Sequence, residues 1–381
     1  MTQHPKKDEK TVYQKRVADL RRKLADRSGM HSYAAWIIQP ENRRYLSGFK
    51  AEDTQINESS GSLLIDGTRC LMVTDPRYGL EAKTDAVDFE VHVLNGDFAD
   101  GFTNLIVKTG THVLGFEEEY VTFSLYRKLT EKLECLPSPV IFEAINGVVE
   151  SMREVKDEVE IKAMEKTADL MSEVIDEVIP ELKAGATERE VAWRIESTAR
   201  DRGADGMAFP PIVASGPNSA LPHAVPSDRK LKAGEPIIID VGARLNGYCS
   251  DMTRTVFLGD PESEFRIIYH TVRQAQLEAL KAIRPGVESN APDKIARDFI
   301  TDAGFGDYFI HSLGHGVGLA THEGPRLGPL KPVTLKKGMV VTVEPGIYIP
   351  EKGGVRLEEM VVIEEDGPRV LTRNNHFYDF S

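Results

Sequence analysis

The sequence is short of cysteine, of positive charge and of long apolar runs, and each shortage removes a class of protein. Its three cysteines, Cys70, Cys135 and Cys249, are scattered through 381 residues with no CxxC pair. That count fits a reducing compartment and argues against a disulfide framework or a thiolate metal site. Cys249 is expected to be a buried spectator. A formal net charge of −13 argues against nucleic acid or an anionic membrane as the main partner. No apolar run approaches the roughly 18 residues of a spanning helix, and residues 1–10 have no signal-peptide core, so a cytoplasmic location is expected. No glycine-rich phosphate loop follows a predicted strand in the first part of the chain, which leaves a nucleotide site there without support.

What remains is a chain too long for one ordinary core, and two domains are expected. Residues 1–150 alternate strands (34–38, 61–66, 68–74, 89–94, 111–116) with helices (11–28, 77–84, 99–107, 122–133), the pattern of a small α/β domain. Within it, Asn42–Phe49 and Asp75–Tyr78 carry no chemistry derivable from their residues. The composition turns charged around 146–157, and residues 151–381 form the second domain. There an order repeats: helices at 156–183 and 187–203 precede strands in 208–258, then helices at 262–283 and 291–303 precede strands in 308–372. Thr187–Glu190 reads as a capping box, and Asp260-Pro261 as an N-cap with proline following. The expected fold class is α+β, with pseudo-twofold symmetry and helices backing a strongly bent antiparallel sheet.

The chemistry centres on Ile237–Phe257. Asn246-Gly247 predicts a tight hairpin turn, which pairs Leu245 with Tyr248 and sets Asp240 opposite Thr253. Asp251 then lies diagonal to Asp240 on one face, about 7–8 Å away. Two carboxylates beside an Ile-Ile-Ile run repel each other and lose hydration unless a cation sits between them. Three further segments interrupt apolar strands with a ligand type: His311 and His315 in a glycine-rich stretch, Glu344 ending Met339–Val343, and Glu358 ahead of Met360–Ile363. Arg356 could neutralise Glu358 locally. Asp240, Asp251, Glu344 and Glu358 together carry the charge that two divalent ions would cancel, with His315 as a neutral ligand. Carboxylates with one imidazole suit Mn2+, Co2+, Fe2+ or Zn2+. Two such ions supply a nucleophile at neutral pH for hydrolysis.

Residues 208–360 resemble the pita-bread metallopeptidases, a family that includes methionine aminopeptidase, Xaa-Pro aminopeptidase, Xaa-Pro dipeptidase and the non-metal relative creatinase. Asn42–Phe49 and Asp75–Tyr78 look like the amino-terminal domain of the proline-specific members. The resemblance implies that Asp240 holds one ion and His315 the other, that Asp251 and Glu358 bridge them, and that Glu344 is both ligand and acid/base group. It implies that His223, His311 and His322 contact substrate or stabilise the oxyanion, and that Arg356 links from behind to a bridging carboxylate. Tyr348 is a lesser candidate for the same region. The substrates so implied are small proline-containing peptides, and the assembly a homodimer.

Methionine aminopeptidase lacks the amino-terminal domain, and creatinase lacks the ligands. A scaffold role is disfavoured because five buried ligand groups left without metal cost several kcal/mol. Between the proline-specific activities, the likeness of residues 114–129 to bacterial aminopeptidases favours an Xaa-Pro aminopeptidase, with an Xaa-Pro dipeptidase as the alternative.

Overall fold

Val17, Leu20 and Leu24 recur at helical spacing, and α1 (Val12–Ser28) buries all three. It opens the first of two units, Met1–Met152 and Arg153–Ser381, of the computed structural model, which describes residues 10–28, 32–53 and 55–380. Unit 1 continues with β1 (Tyr33–Ile37), α2 (Pro40–Ser47), β2 (Ser62–Asp66), β3 (Cys70–Thr74), α3 (Gly79–Asp85), β4 (Glu90–Val93) and α4 (Phe98–Thr109). Then come β5 (Val113–Phe116), α5 (Phe123–Glu134), β6 (Ile141–Ala144) and α6 (Val148–Arg153). The strands form one mixed sheet in the order β4-β3-β2-β1-β5-β6.

Three of these elements, α2, β6 and α6, were not legible in the sequence. The edge strand β6 leaves Ile141 exposed and so lacks apolar alternation. The short helix α2 starts on Pro40 and stops at Gly48, whose φ of 82° suits glycine. Arg43 of that helix is fully buried and donates to Gly61 O, Ala51 O, Ser60 Oγ and Asp53, so the motif organises a loop.

Unit 1 also predicts a pH effect. Glu117 is buried and accepts from the backbone N–H groups of Ile38 and Gln39 and from Asn42 Nδ2. Burial outweighs these donors and raises its pKa from 4.5 to about 7. A carboxyl group raised on folding contributes stability that is full below its unfolded pKa and is lost as pH rises through its folded one. Unfolding free energy is therefore expected to fall by about 3 kcal/mol between about pH 4.5 and 7. Glu117→Gln should flatten that part of the profile in denaturant titrations.

Unit 2 begins with α7 (Glu158–Val178), α8 (Glu188–Asp201), β7 (Gly206–Met207), β8 (Ile212–Ser215), β9 (Pro236–Val241), β10 (Ala243–Leu245), β11 (Tyr248–Cys249) and β12 (Met252–Phe257). Its second half runs α9 (Ser263–Ala282), α10 (Asn290–Asp302), β13 (Gly314–Gly316), β14 (Glu323–Leu327), β15 (Val340–Val343), β16 (Gly346–Ile349), β17 (Gly353–Arg356), β18 (Glu359–Glu364) and β19 (Gly367–Val370). Antiparallel sheets run β12-β9-β8 in one half and β14-β13-β15-β18-β19 in the other, with β16-β17 as a hairpin. Each half has its own core. Met171, Ile175 and Ile195 of α7 and α8 pack with Ile237, Ile239 and Val256. Ile268, Val272 and Ile300 of α9 and α10 pack with Val341, Val343 and Val361. The helix-helix-sheet order thus occurs twice, as expected.

Capping boxes start α7 at Asp157–Glu160 and α8 at Thr187–Glu190. At α9 the expectation fails, because Glu262 and not Asp260 is the N-cap. The N–H of Glu262 donates to Gly234 O, which holds the chain outside the helix for two further residues, and Asp260 instead pairs with Arg266.

Candidate metal centre

The hairpin forms as its sequence predicts. Asn246 and Gly247 take φ of 51° and 83°, Leu245 pairs with Tyr248, and Asp240 lies opposite Thr253. Pro236–Val241 is buried on both faces, so the strand delivers Asp240 to the interior, 9% exposed. Between the two halves of the hairpin the chains pinch together. A Cβ on Gly242 would stand 2.1 Å from Ser250 O, so this approach requires glycine. Asp251, next along, is also buried.

Strand β13 brings in His315. Its backbone N–H donates to Thr342 Oγ1 of β15, and that hydroxyl donates in turn to Glu344 Oε1. His315 Nδ1 lies 3.0 Å from Gly316 O. A carbonyl only accepts, so Nδ1 carries hydrogen and Nε2 is the nitrogen turned toward the carboxylates. Nε2 is 3.3 Å from Glu344 Oε1 and 3.7 Å from Asp251 Oδ2. Ligand atoms of Asp251, His315 and Glu358 all lie within 4.8 Å of one another.

This cluster is rich in acceptors and poor in donors. Asp240 Oδ1 is buried with no hydrogen-bond partner among the described residues. Burial, then the charges of Glu358, Asp240 and Glu344, hold the Asp251 carboxyl well above the ordinary range. Burial and the neighbouring acids do the same to Glu358, and burial raises Asp240 despite Arg356. Glu344 goes the other way. Burial would raise it, but the hydrogen bond and charge of His315 win and lower it to about 2, while Glu344 correspondingly raises His315. Oxygen donors with one neutral imidazole fit divalent cations of the Mn2+ to Zn2+ series.

Arg356 departs from expectation. Its Nη2 pairs with Asp240 Oδ2 at 2.6 Å, and it reaches Glu358 only through Thr253, whose hydroxyl accepts from Arg356 Nε and donates to Glu358 Oε2. The physical reason is a change of sheet. Arg356 ends β17, β18 starts at Glu359, and Glu358 lies between them, so the two-residue offset does not put both side chains on one strand face. Arg356 Nη1 also donates to Tyr348 OH, which donates to His311 Nε2, while His311 Nδ1 donates to Ser312 O. Both His311 nitrogens are therefore engaged. Burial lowers its pKa and keeps it neutral, and its contact is with Tyr348.

The acidic cluster opens into a cavity of about 650 Å³. Phe209, Pro210, Pro211, Ile212, Ala224 and Val225 form an apolar wall. His223, His311, His322, Arg326 and Arg356 complete the lining with the cluster, so all nine ligand and catalytic candidates of the sequence reading border one space. The His322 ring lies 4.2 Å from that of His315, and His223 is exposed. Sequence reasoning missed Thr253, Thr342 and Arg326, and also Arg254, which is fully buried behind the site and donates to Glu358 O. Two of these had a signal: Thr253 is the predicted partner of Asp240, and Arg326 follows the His322 motif directly.

A two-unit chain with an acid-and-histidine cluster between repeated helix-helix-sheet halves defines a metal-dependent hydrolase of the pita-bread type. The chain belongs to metallopeptidase family M24. The family model matches residues 162–365, and that of the creatinase/prolidase N-terminal domain matches residues 16–155. It is 43% identical over 341 residues to an Xaa-Pro dipeptidase of Pyrococcus horikoshii, covering 89% of this chain and 92% of that one. Among solved structures, an Xaa-Pro dipeptidase from Bacillus anthracis superposes with a TM-score of 0.87 at 34% identity, covering 95% and 98% of the two chains. An X-Pro aminopeptidase from Thermotoga maritima gives 0.80 at 38% identity, covering 90% and 96%.

Proposed function

We propose that the protein is an Xaa-Pro dipeptidase, with two divalent ions held by Asp240, Asp251, His315, Glu344 and Glu358. The observation that carries this reading is Arg326. The cavity's other arginine, Arg356, is saturated by Asp240, Tyr348, Thr253 and Pro222 O. Arg326 is exposed and engages only its Nε, with Ser312 Oγ at 3.0 Å. Among the described residues its terminal nitrogens have no partner, which leaves a planar fork for a carboxylate. A dipeptide places its proline carboxylate one residue beyond the scissile bond, where a longer peptide has an amide. The dipeptidase names of relatives at 34–43% identity support this choice over the aminopeptidase. The likeness at 114–129 falls on β5 and α5, where Leu114, Phe116 and Leu129 are core, so it reflects packing and not substrate length.

When bound, the ions lower the pKa of water toward neutrality and withdraw charge from the scissile carbonyl. Glu344 takes the proton of the attacking water on a carboxylate oxygen and delivers it to the proline nitrogen, which as a tertiary amide has no N–H of its own. His322 and His223, on the open side, donate to the carbonyl oxygen as charge develops there. Tyr348 and His311 keep Arg356 aimed at Asp240, beside which the substrate's α-amino group binds.

Arg326→Ala should raise KM for Leu-Pro by about 10- to 100-fold, the worth of a charge-assisted contact. It should leave KM for Leu-Pro amide, which has no carboxylate, nearly unchanged. Equal effects on both substrates would overturn the dipeptidase reading.

A further inference from the structure

The segment Thr321-His322-Glu323-Gly324-Pro325 contains a carboxylate for which the proposed chemistry has no use. Glu323 is almost dry, its side chain 6% exposed, and two cations flank it. Arg153 Nη2 pairs with Oε2, and Lys156 Nζ with Oε1 at 2.7 Å, their side chains 3% and 1% exposed. Ala320 N also donates to Oε2. Apolar residues of similar volume commonly give equal stability, so a buried ionic triad is weakly explained by stability alone. Its placement explains it better.

The cations come from the first residues of unit 2, and that segment is itself anchored. Lys156 N donates to Gly338 O, and Val155 bridges to Met339, just ahead of β15, the strand that leads to Glu344. Glu323 in turn begins β14 and pairs with Gly316, the residue after His315. Between these two points the loop 317–322 carries His322 over the His315 ring. The loop closes directly onto the carboxylate, since a Cβ on Gly318 would stand 2.3 Å from Glu323 Oε1. Its amino-terminal end is fixed by buried Val317, whose N–H donates to Val340 O of β15, and the rest is tied by Cys249 N to Gly318 O, Cys249 Sγ to Leu319 O and Thr321 Oγ1 to Ala208 O, so the triad acts at the carboxy-terminal end, next to His322.

We propose that the Arg153–Glu323–Lys156 triad is a positioning device that holds the loop bearing His322 over the metal centre. This inference rests on the substrate-contact role proposed for His322. Glu323 is a positioning residue that acts through His322 and touches no reacting atom. Arg153 and Lys156 tie the loop to the same strand that presents Glu344, so His322 and Glu344 are held in one frame.

Glu323→Gln alone strands two buried cations and puts folding of the unit at risk, so the test uses Lys156→Met/Glu323→Gln, in the whole 381-residue chain and again on a His322→Ala background. On the wild-type background kcat for Leu-Pro should fall about 30-fold, with KM changed by less than about threefold, because a misplaced donor weakens transition-state contact. With His322 already removed, the same pair of changes should cost less than about threefold, the mark of residues acting through one another. Equal losses on both backgrounds would overturn the proposal. Amide hydrogen exchange supplies a readout independent of turnover. In the double variant, peptides covering 317–323 should exchange at least about tenfold faster while those of β12 and α9 keep their rates. Unchanged exchange at 317–323 overturns the device. If wild-type protein does not cleave Leu-Pro, the substrate reading fails while exchange still decides the positioning claim.

Discussion

Glu344→Ala is expected to lower kcat on an Xaa-Pro substrate by at least about 1,000-fold at saturating metal, combining the loss of a proton-transfer group with that of a ligand. Glu344 directly follows β15, its N–H held by Leu313 O, and its Oε1 lies 3.3 Å from His315 Nε2 while accepting from Thr342. No other carboxylate of the cluster has this combination: Asp240 is committed to Arg356, and Glu358 accepts from Thr253. Glu344→Gln separates the two roles, because an amide retains an oxygen ligand but cannot carry the proton. It should keep more metal than the alanine variant, as measured by elemental analysis, and remain about 1,000-fold slow. Turnover of Glu344→Ala within tenfold of wild type would remove Glu344 from the chemistry.

The second large effect concerns stability. In metal-free protein, Asp251 is buried among Glu358, Asp240 and Glu344, and each raises its pKa, burial most of all. Removing that charge should cost nothing there, so chelated Asp251→Asn should melt no lower than chelated wild type. Adding metal should reverse the order. Wild type gains about 2.7 kcal/mol when free metal is a hundredfold above the dissociation constant, which is several degrees of melting temperature, at roughly 2–4 °C per kcal/mol for a unit of this size. The variant, short of a ligand, should gain much less. Calorimetry of both proteins with Mn2+ and with chelator gives the four numbers. A wild type whose melting temperature ignores Mn2+ would contradict the ligand set.

The parts of the site legible in the sequence were those whose neighbours in space are fixed by strand period and turn. Asn246-Gly247 fixed the hairpin register, and with it the placing of Asp240 opposite Thr253. Ligand-bearing interruptions of apolar runs marked His315, Glu344 and Glu358, and a recognisable family pattern joined them. Contacts made across a change of sheet were not legible. Arg356 lies two residues from Glu358 in the chain yet pairs with Asp240, because β17 and β18 belong to different sheets. Nor could a sequence assign partners to the charges of 146–157, since Glu323 lies some 170 residues away from Arg153. Edge strand β6 and the two-turn helix α2 were missed for a simpler reason: neither is long or apolar enough to show a period.

Selectivity for substrate length tests the proposed function most directly. Protein loaded with Mn2+ or Co2+ is given Leu-Pro and a Leu-Pro-Yaa tripeptide side by side, with a chelated control. Metal-dependent cleavage with kcat/KM higher for the dipeptide by about tenfold or more is the predicted result, since only the dipeptide offers Arg326 a carboxylate at the right distance. Preference for the tripeptide would contradict the dipeptidase assignment, and cleavage of neither would contradict a proline-directed exopeptidase altogether.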